Sequence, residues 1–212
     1  MKGIAVFDFD GTISFKDSFF DFIRFTHGGP RLVACIILNM PFGILFFIGL
    51  YPSHKLKQRF FSYFYKGSDQ EIMERKGVEY CEKRIDKIIY PGAKKRIAWH
   101  HSQGHKIYLL TASSGLWLGE WCKINSISLI GTEFEVVEGK YTGRISGKNC
   151  RGKEKARRLQ TDVDLGNSEE TYGYGDSKSD KNFLALVSKP FHFPLNDNNT
   201  KKLIPKINPY VG

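Results

Sequence analysis

Three short apolar runs, each ending abruptly on a polar group, limit the folds open to this 212-residue chain. Residues 3–7 lead to Asp8, residues 106–110 lead to Thr111, and residues 171–175 lead to Asp176. Apolar runs this short, bounded by turn residues, read as strands buried on both faces, which is the pattern of a parallel sheet. In an open parallel sheet ligands bind beyond the carboxyl ends of the strands, so the three polar ends are expected to converge on one cleft.

The segments between the strands support this reading. Residues 91–103, 115–124 and 153–161 are helix-like, and residues 133–145 alternate around Glu138-Gly139, the pattern of a β-hairpin on the edge of the fold. The order predicts an α/β fold, a doubly wound parallel Rossmann-like sheet. Residues 1–14 and 90–212 form the expected core. Residues 15–89, aromatic and helical in pattern, form an inserted helical cap over the strand ends.

Chemistry enters at Asp8 and Asp10. Two residues apart at a strand end, they leave Phe9 to turn into the apolar layer while Asp8 faces the cleft, and Gly11 permits a sharp turn. Alone, Asp-x-Asp-Gly also suits an Asx turn that holds no metal. With the later segments the chain resembles the haloacid dehalogenase superfamily, known by four motifs in fixed order. Asp8-Phe9-Asp10-Gly11-Thr12 matches the first, Thr111 after its apolar run the second, a lysine the third, and the acidic pair in Gly175-Asp176-Ser177-Lys178-Ser179-Asp180 the fourth. Lys155 suits the third because Leu159 follows four residues later, with Lys153 as the alternative. The form Asp-Ser-Lys-x-Asp is similar to that of subfamily IB, the branch related to phosphoserine phosphatase, which includes a phosphatidylglycerophosphate phosphatase.

The resemblance implies a phosphatase. Asp8 would be the nucleophile, Asp10 the general acid and then base, and Thr111, Ala112 and Lys155 the phosphate-binding groups. Mg2+ would be held by Asp8, the Asp10 carbonyl and Asp176, with Asp180 behind them. These residue types suit the task, because a phosphate dianion repels an anionic nucleophile until fixed positive charge offsets it. The same residues would serve hydrolysis or transfer to another alcohol. Phosphoserine phosphatases carry a glutamate nine residues after the nucleophile; Asp17 stands there among Phe15, Phe19 and Phe20, which argues against free phosphoserine.

Residues 32–51 contain sixteen apolar residues in twenty and no Asp, Glu, Lys or Arg. By length they would span a bilayer, which needs about twenty residues of helix. Yet Asp8 precedes the segment and Thr111, Lys155 and Asp176 follow it, so a single crossing would divide one site between two compartments. Three arrangements are left: a buried cap hairpin, a re-entrant wedge, or helices in the membrane interface, with Pro41-Phe42-Gly43 as the expected break. Arg24, Arg31, Lys55, Lys57, Arg59 and Lys66 flank the segment, and Phe60, Phe61, Tyr63, Phe64 and Tyr65 are interleaved with the last of them. Such flanks favour an anionic membrane surface and a lipid phosphate substrate.

A formal charge of +10 fits phosphate, nucleic acid or anionic lipid equally. No nucleic-acid motif is present, so nucleic acid is not an expected partner. Four widely spaced cysteines form no zinc or redox motif, and the N-terminus lacks a signal-peptide pattern; the expected location is cytoplasmic, with peripheral contact at the inner membrane. His100-His101 reads as a surface pair. The competing functional readings are a phosphatase of a small soluble metabolite and, from another class, a non-catalytic membrane or RNA binding module.

Overall fold

The computed structural model of the chain describes residues 3–203. The chain runs β1 (Ile4–Phe7), α1 (Ser18–His27), α2 (Gly29–Phe47), α3 (Ser53–Tyr65) and α4 (Gln70–Lys83). It continues with α5 (Pro91–Ser102), β2 (Lys106–Leu110), α6 (Gly115–Ile124), β3 (Ser128–Ile130), β4 (Glu133–Val137) and β5 (Lys140–Ser146). It closes with α7 (Lys153–Asp162), β6 (Thr171–Gly175), α8 (Lys181–Leu184), β7 (Lys189–His192) and α9 (Asp197–Thr200).

Five strands form a wholly parallel sheet in the order β3-β2-β1-β6-β7. The chain leaves β1 for β2 on one side and pairs with β6 on the other, so the order reverses beside β1, where an α/β sheet opens a crevice. Register fixes the outcome. Phe7 lies opposite Leu109 and Tyr174, so Asp8, Thr111 and Asp176 emerge from neighbouring strands at nearly the same height. The three apolar runs are therefore strands, and their polar ends share one rim, as expected.

Helices cover both faces of the sheet, with Phe7, Phe9, Leu109 and Trp121 packed on one side and Ile4, Val6, Leu110, Leu159 and Phe183 on the other. Residues 133–145 do form a hairpin, turned by Glu138 and Gly139, both at positive φ (50° and 73°), as a two-residue type I′ turn requires. It is not an edge of the main sheet. The hairpin is a separate two-stranded sheet whose Phe134 and Tyr141 pack against Phe61 of α3.

The sequence expectation for His100-His101 holds only for His101. His100 is fully buried: its Nε2 lies 2.9 Å from the Tyr174 hydroxyl and its Nδ1 2.8 Å from Nδ1 of His105. The helical period puts Arg96, Ile97 and His100 on the face of α5 that meets the sheet, and the buried Tyr174 hydroxyl takes its partners from that face, including Arg96 at 2.7 Å. Burial, with Arg96 and His105 adding to it, pushes the His100 pKa down from 6.5 to about 2, so the folded chain keeps this ring neutral. The unfolded chain protonates it, so its contribution is complete above the unfolded pKa and lost as pH falls below it, at roughly 1.4 kcal/mol per pH unit. His100→Gln should flatten the fall in melting temperature between about pH 7 and about pH 5. An unchanged slope in thermal unfolding would refute this role.

The break expected at Pro41-Phe42-Gly43 is absent, because α2 runs unbroken through Pro41. Proline removes one N–H and leaves the carbonyl four residues earlier unsatisfied. That residue is Ile37, 61% exposed, where water reaches the carbonyl. The chain turns instead at Gly49, where φ is +81° and the Leu50 amide closes onto the Leu45 carbonyl at 2.8 Å. A helix pair results, α2 against α3, tied by Arg59 Nε to the buried Asn39 side chain at 2.9 Å. Nor is the apolar segment a buried cap core. Within α2 only Cys35 and Asn39 are buried, while Ile37, Leu38, Met40, Ile44 and Phe47 are 56–92% exposed. By length and composition this helix could cross a membrane.

Candidate active site

Asp8 directly extends β1: its amide donates to the Tyr174 carbonyl at 2.9 Å, carrying the sheet ladder one residue past the strand. The chain then reverses through Gly11, where φ is +86°. A Cβ at Gly11 would lie 2.4 Å from Asp176 Oδ2, so the first and last motifs can touch only because this residue has no side chain. Thr12 completes the join by donating its hydroxyl to Asp176 Oδ1 at 3.0 Å.

Lys155, on the first turn of α7, is buried and reaches Asp8 Oδ1 at 2.7 Å and Asp180 Oδ1 at 2.6 Å. Lys153 is exposed and does not line the cavity that Lys155 lines. Asp180 is anchored from its own loop by the Ser177 amide and hydroxyl at 3.0 and 2.6 Å. Here too a missing side chain matters, since a Cβ on Gly175 would come within 2.6 Å of Asp180 Cβ.

Asp10 sits apart from the acidic group. Its Oδ2 accepts the Ser113 hydroxyl at 2.6 Å and its Oδ1 the Ser18 amide at 2.7 Å, which fixes the carboxylate beside the start of α1. Thr111 is fully buried and accepts the Ser113 amide at 3.0 Å, so its own hydroxyl proton is free for a ligand. Asp8, Asp10, Thr111, Ala112 and Lys155 all line one cavity of about 320 Å³.

A family profile for haloacid dehalogenase-like hydrolases matches residues 5–185, which spans every one of these groups. The chain belongs to that family. It is 29% identical over 192 residues to the protein CicA of Caulobacter vibrioides, covering 88% of this chain and 83% of that one. In fold it is similar to a protein of unknown function from Bordetella pertussis Tohama I (TM-score 0.78, 21% identity, 96% and 94% of the two chains). A substrate-bound phosphoserine phosphatase complex also aligns (TM-score 0.63, 16% identity, 97% and 99%). So does a phosphoserine phosphohydrolase-like protein from Francisella tularensis (TM-score 0.64, 16% identity, 97% and 100%).

Charge in this hydrolase's site does not balance. One ammonium serves two carboxylates, and Asp180 takes most of the benefit. Burial alone would raise Asp180, but Lys155 and the Ser177 hydrogen bonds hold it below the usual carboxylate range. Asp8 is the loser, because burial, with Asp180 and Asp10 adding to it, outweighs Lys155 and pushes it up to about 7. Asp176 is raised as well, mainly by burial. Lys155 itself is held above its ordinary value, its two carboxylates outweighing its burial. Oxygens of Asp8, Asp176 and Asp180 lie within 4.8 Å of one another, a cluster short of positive charge.

Several residues of this cavity were not legible beforehand. Lys57 of α3 donates to the Ala112 carbonyl, and Arg151 lines the same cavity. In sequence Lys57 was one of several flanking cations, and nothing separated it from Lys55 or Arg59. Ser113 had a signal: two residues after Thr111, it lies on the same side of an extended chain. Asp17 caps α1 by accepting the Phe20 amide at 3.1 Å, and its outer surface faces the cavity. The protein crowded behind it and the charge of Asp10 push it up to about 6.

Proposed function

We propose that this hydrolase cleaves phosphomonoesters through an aspartyl-phosphate on Asp8, with magnesium as cofactor and an anionic lipid phosphate as substrate. The observation that carries the chemistry is the pair of opposed carboxylates: Asp8, clamped by Lys155 at 2.7 Å, and Asp10, held by Ser113 and Ser18 across the same cavity. In the first step an Asp8 oxygen bonds to phosphorus as the ester P–O bond breaks, and Asp10 gives its proton to the departing oxygen. In the second, Asp10 takes a proton from a water whose oxygen attacks phosphorus. The bond to Asp8 then breaks, restoring the carboxylate and releasing phosphate. Thr111 donates its hydroxyl to a phosphoryl oxygen throughout, and Lys155 adds fixed positive charge.

The acidic cluster fits a hard divalent ion, since its donors are all oxygens and its charge exceeds what Lys155 offsets. Asp8, the Asp10 carbonyl and Asp176 would hold magnesium, with Asp180 behind them. When bound, the ion supplies the charge that lets an anionic carboxylate approach an anionic phosphoryl group. The reading keeps residues 1–14 and 90–212 as the catalytic core and 15–89 as the cap.

The lipid substrate is supported by α2, whose apolar side chains face outward and whose Phe46 lines the cavity, so that exposed apolar surface leads to the site. Arg24, Arg31, Lys55 and Lys66 are exposed around it, as an anionic cytoplasmic leaflet would favour. Phosphatidylglycerophosphate is the first ester to try. Phosphate release should require magnesium and run at least about tenfold faster in kcat/KM on that lipid than on phosphoserine or sugar phosphates, a difference of about 1.4 kcal/mol in transition-state binding. The reverse order in the same panel would assign the site to a soluble metabolite.

A further inference from the structure

The cavity above Asp8 is lined by three cations, Lys57, Arg151 and Lys155, and three acids, Asp8, Asp10 and Asp17. Lys155 is occupied by Asp8 and Asp180. Lys57 and Arg151 are not: among the described residues neither makes an ion pair. The Lys57 ammonium donates to the Ala112 carbonyl and lies 5.3 Å from the Phe19 ring centre and 5.8 Å from that of Trp117. The Arg151 guanidinium lies 6.0 Å from the ring centre of Phe46 and is close enough to Lys57 for the two charges to repel. Asp17 and Asp10 attract the Lys57 ammonium without closing an ion pair, and both carboxylates already accept hydrogen bonds, from the Phe20 amide and from the Ser18 amide and Ser113 hydroxyl.

The two cations approach from different parts of the chain. Lys57 comes from α3, and Arg151 from the turn that precedes α7, and both line one cavity. Between and beside them the lining is apolar, formed by Phe20, Phe46, Leu56 and Phe60. The half-buried Lys57 ammonium has lost part of its hydration there and gains more from an anion than it would in open water, whereas Arg151 is exposed. A simple phosphomonoester would leave both unsatisfied.

We propose that Lys57 and Arg151 form a subsite for a second anionic group of the substrate, separate from the phosphoryl group that Asp8 attacks. The inference rests on the phosphatase reading and narrows its substrate class. The ester carries a second anion, a phosphodiester or a carboxylate, next to an apolar portion that lies along Phe46 and Leu56. Arg151 offers a planar fork that suits either oxyanion, and Lys57 a point charge.

The test uses the full-length protein with magnesium and four esters: p-nitrophenyl phosphate, a short-chain phosphatidylglycerophosphate, its analogue with the diester methylated to a neutral triester, and one with a carboxylate in place of the diester. In the wild type, kcat/KM should favour the doubly anionic lipid over its neutral analogue. Lys57→Gln and Arg151→Gln should each cut that preference about tenfold, through KM rather than kcat, as expected for a charge-assisted bond made in the ground state. Lys57→Arg should restore part of it. Because Arg151 is exposed, its variant should fold normally, and Arg151→Glu should lower the preference further. Equal preference for the carboxylate ester identifies that anion as the natural one, and a lower one identifies the diester; both support the subsite. A preference unchanged in the variants overturns the subsite alone. No turnover of any ester by the wild type overturns the phosphatase reading and the subsite with it.

Discussion

Asp8→Asn is expected to lower phosphate release by about 10⁴-fold or more while making the metal-free protein more stable. The first effect follows from chemistry, since an amide cannot form the acyl phosphate and no other carboxylate in the cavity is placed beside Lys155 facing the open space. Asp180 has the lysine but is turned into its own loop by Ser177. The second follows from the charge imbalance. A carboxyl group raised from 3.8 to about 7 binds its proton more tightly in the folded chain than in the unfolded one. Its burden on stability is therefore nil below the unfolded pKa, grows as pH rises through the gap, and is complete above the folded pKa. At about pH 8 the variant should gain roughly 1–3 kcal/mol, and near about pH 4 the gain should vanish. Magnesium should raise the melting temperature of the wild type at the higher pH and do little for the variant. A variant that keeps its activity, or loses it together with its far-UV circular dichroism, would overturn the assignment of Asp8.

The combination of lost activity and gained stability is what separates a nucleophile from a structural carboxylate. Asp21 provides the contrast within the same chain. It is buried, paired with Arg84 through two hydrogen bonds of 2.9 Å, and held below the usual carboxylate range despite its burial, so removing it should only destabilise. The site concentrates strain that the rest of the fold avoids.

How much of this was readable in the sequence depends on how local each cause is. The three strands were legible because burial on both faces forces unbroken apolar runs, and the convergence of Asp8, Thr111 and Asp176 follows from parallel pairing alone. The hairpin was legible from Glu138-Gly139, but not its partner, because the contact between Phe61 and Phe134 joins residues far apart in the chain. Lys155 over Lys153 was legible only from helical spacing to Leu159. His100 was misplaced because its burial depends on the Tyr174 hydroxyl, a requirement set by a distant strand. The turn after α2 was misplaced for a different reason. Proline was given more weight than its position deserved, since the cost of a missing N–H is small where water satisfies the orphaned carbonyl. Lys57 and Arg151 were invisible as a pair because only the folded chain brings residues so far apart in sequence to one cavity.

The outward face of α2 leads to the second large effect. Phe47 is 92% exposed and Leu50 72%, and both stand at the end of α2, close in sequence to Phe46, which lines the cavity. On the lipid-phosphate proposal this apolar surface lies in a bilayer, and the exposed cations around it would favour an anionic bilayer over a neutral one. Burying a Phe or Leu side chain contributes about 1.5–3 kcal/mol, so placing both in the interface would contribute about 3 kcal/mol or more. Replacing both by glutamate removes that term and adds repulsion from anionic lipid. Phe47→Glu with Leu50→Glu should therefore weaken partitioning to phosphatidylglycerol-containing vesicles by about 100-fold or more, measured by co-sedimentation. The folded state should survive, because neither side chain packs in the core, so the melting temperature in detergent-free buffer should hold or rise. Raised salt should weaken wild-type binding only in part, since the apolar share is not screened. Wild-type protein that ignores vesicles and elutes as a dimer, with the double variant a monomer, would give this face to a second copy of the chain instead. A double variant that still sediments with vesicles would remove α2 from the membrane contact, and with it the reason for preferring a lipid at Asp8.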